Sequence, residues 1–275
     1  MTTTTLTHTA PPAVPEPAAA ASAPVRLLRH SLTLAHRSVL RMRRTPEQFV
    51  DVTLQPIIFL LMFVYLFGGA VAGSTQDYLQ YVLPAIMVQT VMFCSAAIGV
   101  NLNDDIKKGL FDRFRSLPIA RSAPLIGAVI ADVVRYATAV TVLLAFGMIM
   151  GFRVETNALS ALAACLLVIL FAMSLSWVFV LLGLKLRSAG AVQGIGFLVL
   201  FPVTFGSNLF VPTDTLPGWL QAWVHVNPVT HVVAAARGLM LGGPVATPVA
   251  QSLMWCAILV AVFAPLGVRA YRRRT

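Results

Sequence analysis

The segment Asn157–Leu184 reads NALSALAACLLVILFAMSLSWVFVLLGL and contains no charged side chain. About 20 consecutive apolar residues are enough for a helix to cross the hydrocarbon core of a bilayer, which is roughly 30 Å thick. This segment is therefore predicted to be a transmembrane helix. Comparable apolar segments predict five further spans, at about 52–72, 78–102, 123–152, 189–211 and 247–268.

The composition of the whole chain agrees with an all-α integral membrane protein. Of the 275 residues, 58% are hydrophobic and only 11% are charged, whereas a soluble domain has roughly 25% charged residues. So few charges cannot cover a water-exposed surface, which excludes a soluble globular protein, and the apolar content excludes disorder for most of the chain. Cys94, Cys165 and Cys256 lie within apolar segments without metal-ligand spacing, so we interpret them as packing residues with no disulfide framework.

The chain before the first span is predicted to have two parts. Residues 1–24 are rich in Thr, Ala and Pro and have neither a basic region nor an apolar core, which indicates a disordered leader rather than a signal peptide. In residues 25–44, apolar and basic side chains recur on opposite faces at helical spacing. This pattern predicts an amphipathic helix on an anionic inner leaflet, with a cytosolic helix packed on a partner as the alternative. Residues 25–275 are then one transmembrane domain.

The basic residues predict the orientation of the six spans. An even number of spans places both ends of the chain on one side of the membrane. If that side is the cytoplasm, the inner segments 26–44, 107–121, 185–187 and 269–274 contain 17 of the 20 Lys and Arg residues. Because cytoplasmic loops are enriched in Lys and Arg, both termini are predicted to be cytoplasmic.

The loop between the second and third spans, NDDIKKGLFDRFRSLPIARS (103–122), is predicted to contain a short amphipathic helix at about 104–117. Its apolar ridge consists of Ile106, Leu110, Phe114 and Leu117, and it ends at Pro118. An apolar ridge with charged flanks can dock into a groove on a soluble partner. The alternative is a helix that rests on lipid headgroups.

The segment 212–246, after the fifth span, is long and almost uncharged. It predicts two short helices, at about 216–226 and 229–241, separated by Asn227-Pro228. Neither is long enough to span a bilayer, and Trp219 and Trp223 are typical of a membrane interface. We therefore predict a re-entrant helical hairpin that dips into the outer leaflet or caps a cavity.

Polar and aromatic residues within the spans supply the candidate site residues. Asp132 and Arg135 are the only charged residues within the apolar segments, and they are predicted to form an intramembrane ion pair at i, i+3. They are either a structural pair near the headgroups or part of a cavity. A path for an amphipathic compound needs an apolar lining with a few polar groups. The candidates for that path are Gln55, Phe59, Phe63, Gln89, Phe93, Phe201, Phe205 and Asn208.

The sequence contains two weaker patterns. Gly190 and Gly194 form a GxxxG motif, which can allow close helix contact in a membrane. His225 and His231 lack a carboxylate or cysteine companion, so no metal site is expected.

Short motifs follow one another in a set order along this six-span layout. They are RTP (44–46), QPIIF (55–59), DRFRSLPI (112–119), FVP (210–212), LPGWL (216–220), NP (227–228) and RGL (237–239). In this order and spacing, over about residues 25–270, the sequence resembles the type-2 ABC exporter permeases. It is most similar to the daunorubicin/doxorubicin resistance type of drug-efflux permease.

The resemblance implies a homodimer in a bacterial cytoplasmic membrane that binds two copies of a separate cytosolic ATPase. The loop helix at about 104–117 would be the coupling helix, seated in a groove of that ATPase. Phe114 and Leu117 would then form the docking ridge, which ends at Pro118. Asp112, Arg113 and Arg115 would make polar contacts with the ATPase.

The sequence also indicates that ATP chemistry takes place on another chain. A phosphate-binding loop requires a Gly-rich segment followed by Gly-Lys-Ser/Thr, but the three lysines, Lys107, Lys108 and Lys185, are not preceded by glycine. We therefore expect no enzyme activity and no bound cofactor on this chain, with ATP and Mg²⁺ on the partner ATPase.

Three alternatives remain open on the sequence alone. A permease for a lipid-linked glycan or a cell-envelope lipid would have the same layout. An integral membrane enzyme would need a cluster of catalytic residues at one membrane face, and the five histidines are scattered. A secondary transporter would be expected to show internal repeats and several intramembrane charges.

Overall fold

The computed structural model describes residues 46–108 and 123–274, and within these ranges the chain forms helices and connecting segments without a strand. The helices are α1 (Pro46–Ala72), α2 (Thr75–Lys107), α3 (Ala123–Met150), α4 (Ala158–Lys185), α5 (Ala189–Phe205), α6 (Gly218–Val226), α7 (Pro228–Leu241) and α8 (Ala246–Arg274), with a 3₁₀ turn at Thr213–Thr215. The predicted leader, the predicted N-terminal amphipathic helix and residues 109–122 of the predicted coupling loop lie outside the described residues.

Five helices are long and apolar enough to cross a bilayer. Their spanning parts are Thr53–Ala72, Thr75–Lys107, Ile126–Met150, Ala158–Lys185 and Ala246–Tyr271. The protein is therefore a multi-pass membrane protein with an all-α fold.

The helix at the predicted fifth span is shorter than the sequence predicted. The prediction covered 189–211, but α5 has 17 residues and ends at Phe205, which corresponds to about 25 Å at 1.5 Å per residue. The side-chain amide of Asn227 explains the end point, because its Nδ2 donates to the carbonyl oxygens of Val203 (2.7 Å) and Gly206 (3.0 Å). The same side chain starts α7, where its Oδ1 accepts from the Val229 N–H at 3.0 Å.

The boundary of the second span also differs. The predicted loop helix began at about residue 104, whereas α2 continues without a break to Lys107 and Lys108 is its C-cap residue. Asp104 to Lys107 therefore belong to the last turn of a membrane-spanning helix.

Helix α2 is the centre of the bundle and packs against α1, α3, α4, α5 and α7. Its closest neighbour is α4, because glycines from both helices meet at one crossing. A Cβ atom added to Gly99 would lie 2.5 Å from the Phe179 carbonyl oxygen, and one added to Gly183 would overlap the backbone of Gly99. Just beyond this crossing, Asn103 Nδ2 donates to the carbonyl oxygens of Gly183 (3.0 Å) and Leu186 (2.8 Å). Small residues at such a crossing are a common means of packing membrane helices.

Candidate functional site

A cavity of about 450 Å³ lies between α1, α2, α3 and α5. Residues of α2 from Ile86 to Asn101 form one wall, and α5 contributes a second wall from Gln193 to Phe205. Most of the lining is apolar or aromatic, with a small number of amide side chains. This volume and this lining suit a small amphipathic molecule.

The aromatic wall leaves the cavity open on one side. Phe93 of α2 lies against Phe197 of α5 with ring centroids 5.5 Å apart, and Phe201 stacks on Phe205 at 4.3 Å. Phe197, Phe201 and Phe205 are 49%, 54% and 43% exposed in the single chain. The lining of the cavity is therefore partly exposed along α5, and Gln55 of α1 is exposed as well.

The structure brings six of the eight candidate path residues together around this cavity. They are Gln55, Phe59, Gln89, Phe93, Phe201 and Phe205. Phe63 instead packs on Phe210, with ring centroids 4.3 Å apart. Asn208 lies near the N-terminal end of α2, where its backbone carbonyl oxygen accepts from the Tyr81 hydroxyl at 2.9 Å. Phe63 and Asn208 are thus separate from the described cavity lining.

Asp132 and Arg135 form an ion pair inside the bundle. Arg135 Nη2 lies 3.1 Å from Asp132 Oδ1 and donates to the Cys94 carbonyl oxygen at 2.6 Å. Both residues are only 6% exposed, so the pair is buried within the protein. Arg135 also lines the cavity. Behind the pair, the Tyr136 hydroxyl and Ser176 Oγ are hydrogen-bonded at 2.7 Å, which connects α3 to α4.

A second arginine, Arg237 of α7, forms a polar site, although in the sequence it was noted only as part of the RGL motif (237–239). Its Nε donates to the Tyr81 carbonyl oxygen (2.9 Å), Nη1 to that of Asn208 (2.9 Å) and Nη2 to that of Leu209 (2.8 Å). The guanidinium also lies 3.6 Å from the centroid of the Tyr81 ring, which is a cation–π contact.

Burial lowers the pKa of the Arg237 guanidinium to about 10, against the opposing influence of Tyr81, so the group stays charged at neutral pH. Arg237 therefore ties α7, α2 and the segment after α5 together. The sequence contained one signal for this site, a single basic residue in a short helix that is otherwise largely apolar. A buried charge must be hydrogen-bonded or paired, so such a residue indicates polar partners elsewhere in the fold.

The bundle of long apolar helices around a laterally open cavity defines a multi-pass membrane protein with a binding space between its helices. The ABC-2 type transporter family matches residues 29–241. The chain belongs to this family, which confirms the resemblance drawn from its motifs.

Several of its relatives are named as drug-resistance permeases. The chain is 44% identical over 253 residues to the daunorubicin resistance ABC transporter permease protein DrrB1 of Streptomyces coeruleorubidus, which covers 91% of this chain and 89% of that protein. It is 30% identical over 233 residues to the doxorubicin resistance permease DrrB of Mycobacterium tuberculosis, covering 80% and 81% of the two chains. The probable doxorubicin resistance permease DrrC of the same organism is 26% identical over 245 residues, with 88% of each chain covered.

Proposed function

We propose that this protein is the membrane-spanning subunit of an ATP-driven exporter that moves a hydrophobic or amphipathic compound, such as a drug or antibiotic, out across a bacterial cytoplasmic membrane. The observation that supports this most directly is the largely apolar cavity between α1, α2, α3 and α5 in a chain similar to named drug-resistance permeases. A cavity of this lining accepts molecules that partition into a membrane.

In this proposal two copies of the chain enclose the transport path. The outward faces of α1 and α5 on either side of the cavity opening are apolar and exposed, for example at Ile58 of α1 and Leu198 of α5. A large exposed apolar surface marks a lipid-facing or protein-facing side. Joining two such openings would convert two half-open cavities into one closed path.

The proposed topology counts α5 as a sixth span. With six spans, both termini and the coupling loop are cytoplasmic, and the α6–α7 hairpin is re-entrant from the outer side. Helix α5 can cross despite its 17 residues because the segment after it is held in the protein by Asn227 and Arg237.

The energy source in this proposal is a separate ATPase bound to the cytoplasmic loop. Helix α2 lines the cavity and runs unbroken to Lys107, at the beginning of that loop. ATP-driven closure of two ATPase copies would therefore move the cavity wall through α2. The substrate moves outward if it binds the outward-facing state less tightly than the inward-facing state.

Co-purification tests the assembly and the transport activity together. The permease is co-expressed with a candidate ABC ATPase subunit, and ATP hydrolysis is measured with daunorubicin, with doxorubicin and with a lipid-linked glycan. We expect a stable complex in which the anthracyclines stimulate hydrolysis several-fold. The permease alone is the control. Stimulation by the glycan only would contradict the drug-export proposal, and hydrolysis by the permease alone would contradict the separate engine.

The coupling residues give a second prediction. Phe114→Ala and Arg113→Glu are expected to reduce drug export about tenfold or more while the isolated ATPase keeps its basal rate, because they remove the proposed docking ridge and reverse a contact charge. The matched control is Lys185→Glu, which reverses an exposed charge at the end of α4. Wild-type export by both loop variants, in cells with equal permease levels, would rule out the coupling assignment.

A further inference from the structure

Two phenylalanine rings meet at the end of the cavity nearest the start of α2. Phe63 of α1 stacks on Phe210 of the segment after α5, with ring centroids 4.3 Å apart and ring planes inclined by 13°. Phe59, one turn earlier on α1, lines the cavity, and so does Phe205, whose ring centroid is 5.1 Å from that of Phe210. Phe63 and Phe210 are each only 8% exposed. Their contact therefore joins α1 to the α5 side directly beyond the cavity lining.

The Phe210 side of this contact is held in place by hydrogen bonds to its backbone. The Tyr78 hydroxyl of α2 donates to the Phe210 carbonyl oxygen at 3.1 Å. The two preceding carbonyl oxygens, those of Asn208 and Leu209, accept from Arg237 of α7 at 2.9 and 2.8 Å. These hydrogen bonds would have to break or be replaced if the segment moved, and an unpaired buried polar group costs free energy. Phe210 is therefore held to α2 and α7.

Helix α5 is also held against α2 and α4 at its other end. A Cβ added to Gly99 of α2 would lie 3.0 Å from Val192 Cγ1 of α5, so the two helices are already in close contact. Asn103 of α2 donates to the Leu186 carbonyl oxygen at 2.8 Å, and α5 begins three residues later, at Ala189. Since α5 is tied to α2 at both ends, these two walls of the cavity move as one body.

Helix α1, on the other side of the ring contact, has a point at which it can bend. Pro56 lies within it, and proline has no N–H to donate to the carbonyl oxygen four residues earlier. Sharp helix kinks commonly occur at such sites. Phe63 lies about two turns beyond Pro56, so a bend there displaces its ring from Phe210. Helix α5 contains Pro202, but Asn227 holds the carbonyl oxygens that follow it.

We propose that Phe63 and Phe210 form the outer barrier of the transport path and that α1 is its moving part. The barrier is closed in this structure. In transport, α2 and α5 shift together relative to α1, the two rings separate, and a compound that lies against Phe205 passes outward. This inference rests on the proposed function, which makes the cavity part of the transport path and places the start of α2 on the outer side.

A reversible cross-link across the barrier tests this inference. Cys94, Cys165 and Cys256 are first replaced by alanine, and Phe63→Cys and Phe210→Cys are then introduced together. The complex with the ATPase is prepared in inside-out vesicles, and a short bis-methanethiosulfonate reagent joins the two new thiols. ATP-driven uptake of daunorubicin is measured before cross-linking, after it and after reduction, so that each protein serves as its own reference.

We expect the cross-link to reduce daunorubicin uptake about tenfold or more, and reduction to restore it, because joined residues cannot separate to open the path. Daunorubicin binding without ATP, measured by fluorescence anisotropy, should change by less than about twofold, because the cross-link keeps the state that already binds the drug. The matched control joins Tyr81→Cys to Asn208→Cys, where the wild-type hydroxyl and carbonyl oxygens are 2.9 Å apart. Both residues lie on the fixed side, so this cross-link should leave uptake nearly unchanged.

Pro56→Ala tests the movement of α1 without an added cysteine. Alanine restores the missing backbone donor and stiffens the helix, so daunorubicin uptake is expected to fall several-fold while binding without ATP is retained. Pro202→Ala makes the same change in α5, where Asn227 already holds the turn, and is expected to have little effect. Equal losses of uptake in the two proline variants would contradict α1 as the moving part.

The outcomes separate this inference from the proposed function. Full uptake with residues 63 and 210 joined, as verified by mass spectrometry of the linked peptides, would overturn the barrier. Equal inhibition by the control cross-link, or loss of daunorubicin binding together with uptake, would overturn it as well, because either result indicates a general distortion. A reagent that joins residues 81 and 208 but not 63 and 210 would show that the two rings do not meet. If the wild-type complex takes up no daunorubicin, the drug-export proposal itself fails.

Discussion

Arg237→Ala is expected to lower the free energy of unfolding by roughly 2–4 kcal/mol, because three backbone carbonyl oxygens lose a charged donor at once. The donor distances in the wild-type protein are 2.8 to 2.9 Å, so all three hydrogen bonds are well formed. Unfolding in mixed micelles, followed by tryptophan fluorescence, measures the change. Arg237→Lys should recover only part of the loss, since one ammonium group cannot replace a planar guanidinium that donates in three directions.

The control for this prediction is another arginine on the same side of the bundle. Arg153 also donates to backbone carbonyl oxygens, those of Met148 (3.0 Å) and Phe152 (3.1 Å), but its side chain is exposed. Water can replace those hydrogen bonds, so Arg153→Ala is expected to change stability by about 0.5 kcal/mol or less. Equal effects of the two alanine substitutions would show that Arg237 does not hold the outer segment in place.

Local signals explain what could be predicted of this fold. The long apolar segments predicted the spanning helices, and Asn227-Pro228 predicted the break between α6 and α7 because proline cannot continue a helix from the preceding turn. The end of α5 could not be predicted in the same way. It depends on Asn227, which lies more than 20 residues further along the chain and reaches α5 only in the folded protein.

The candidate site shows the same division between local and long-range information. Polar and aromatic residues within apolar segments were visible in the sequence, and six of the eight chosen surround one cavity. The i, i+3 spacing of Asp132 and Arg135 gave their pairing, but the sequence did not distinguish a headgroup position from a cavity wall. The position of Arg135 in the cavity lining depends on the packing of α3 against α2, where its guanidinium donates to the Cys94 carbonyl oxygen.

The glycines show why close helix contacts are hard to predict from one sequence. The GxxxG pair of Gly190 and Gly194 has a recognisable spacing, yet a Cβ added to either would meet nothing within 4 Å among the described residues. Gly99 and Gly183 have no common motif and lie on different helices, yet their backbones touch. Only the tertiary structure pairs them.

Gly183→Val is accordingly expected to be strongly disruptive, with a loss of about 3 kcal/mol in the free energy of unfolding. The added atoms would overlap the backbone of Gly99, which cannot move aside as a flexible side chain could. The two helices would have to separate, and the hydrogen bonds from Asn103 to the end of α4 would lengthen. Because α2 also forms a wall of the cavity, the fraction that still folds should show weaker drug-stimulated ATP hydrolysis in the complex with the ATPase.

Two milder substitutions give this last prediction its control. Gly183→Ala adds a single Cβ atom at the same crossing and should still cost more than about 1 kcal/mol, whereas Gly190→Ala adds the same atom in open space. Since alanine is the better helix former, Gly190→Ala is expected to be neutral or slightly stabilising. The difference between the two alanine variants isolates the steric contact from helix propensity, because both replace a glycine within or at the start of a helix. If Gly183→Ala unfolded at the same point as Gly190→Ala, α2 and α4 could not be packed backbone to backbone, and the cavity wall would have to be supported in another way.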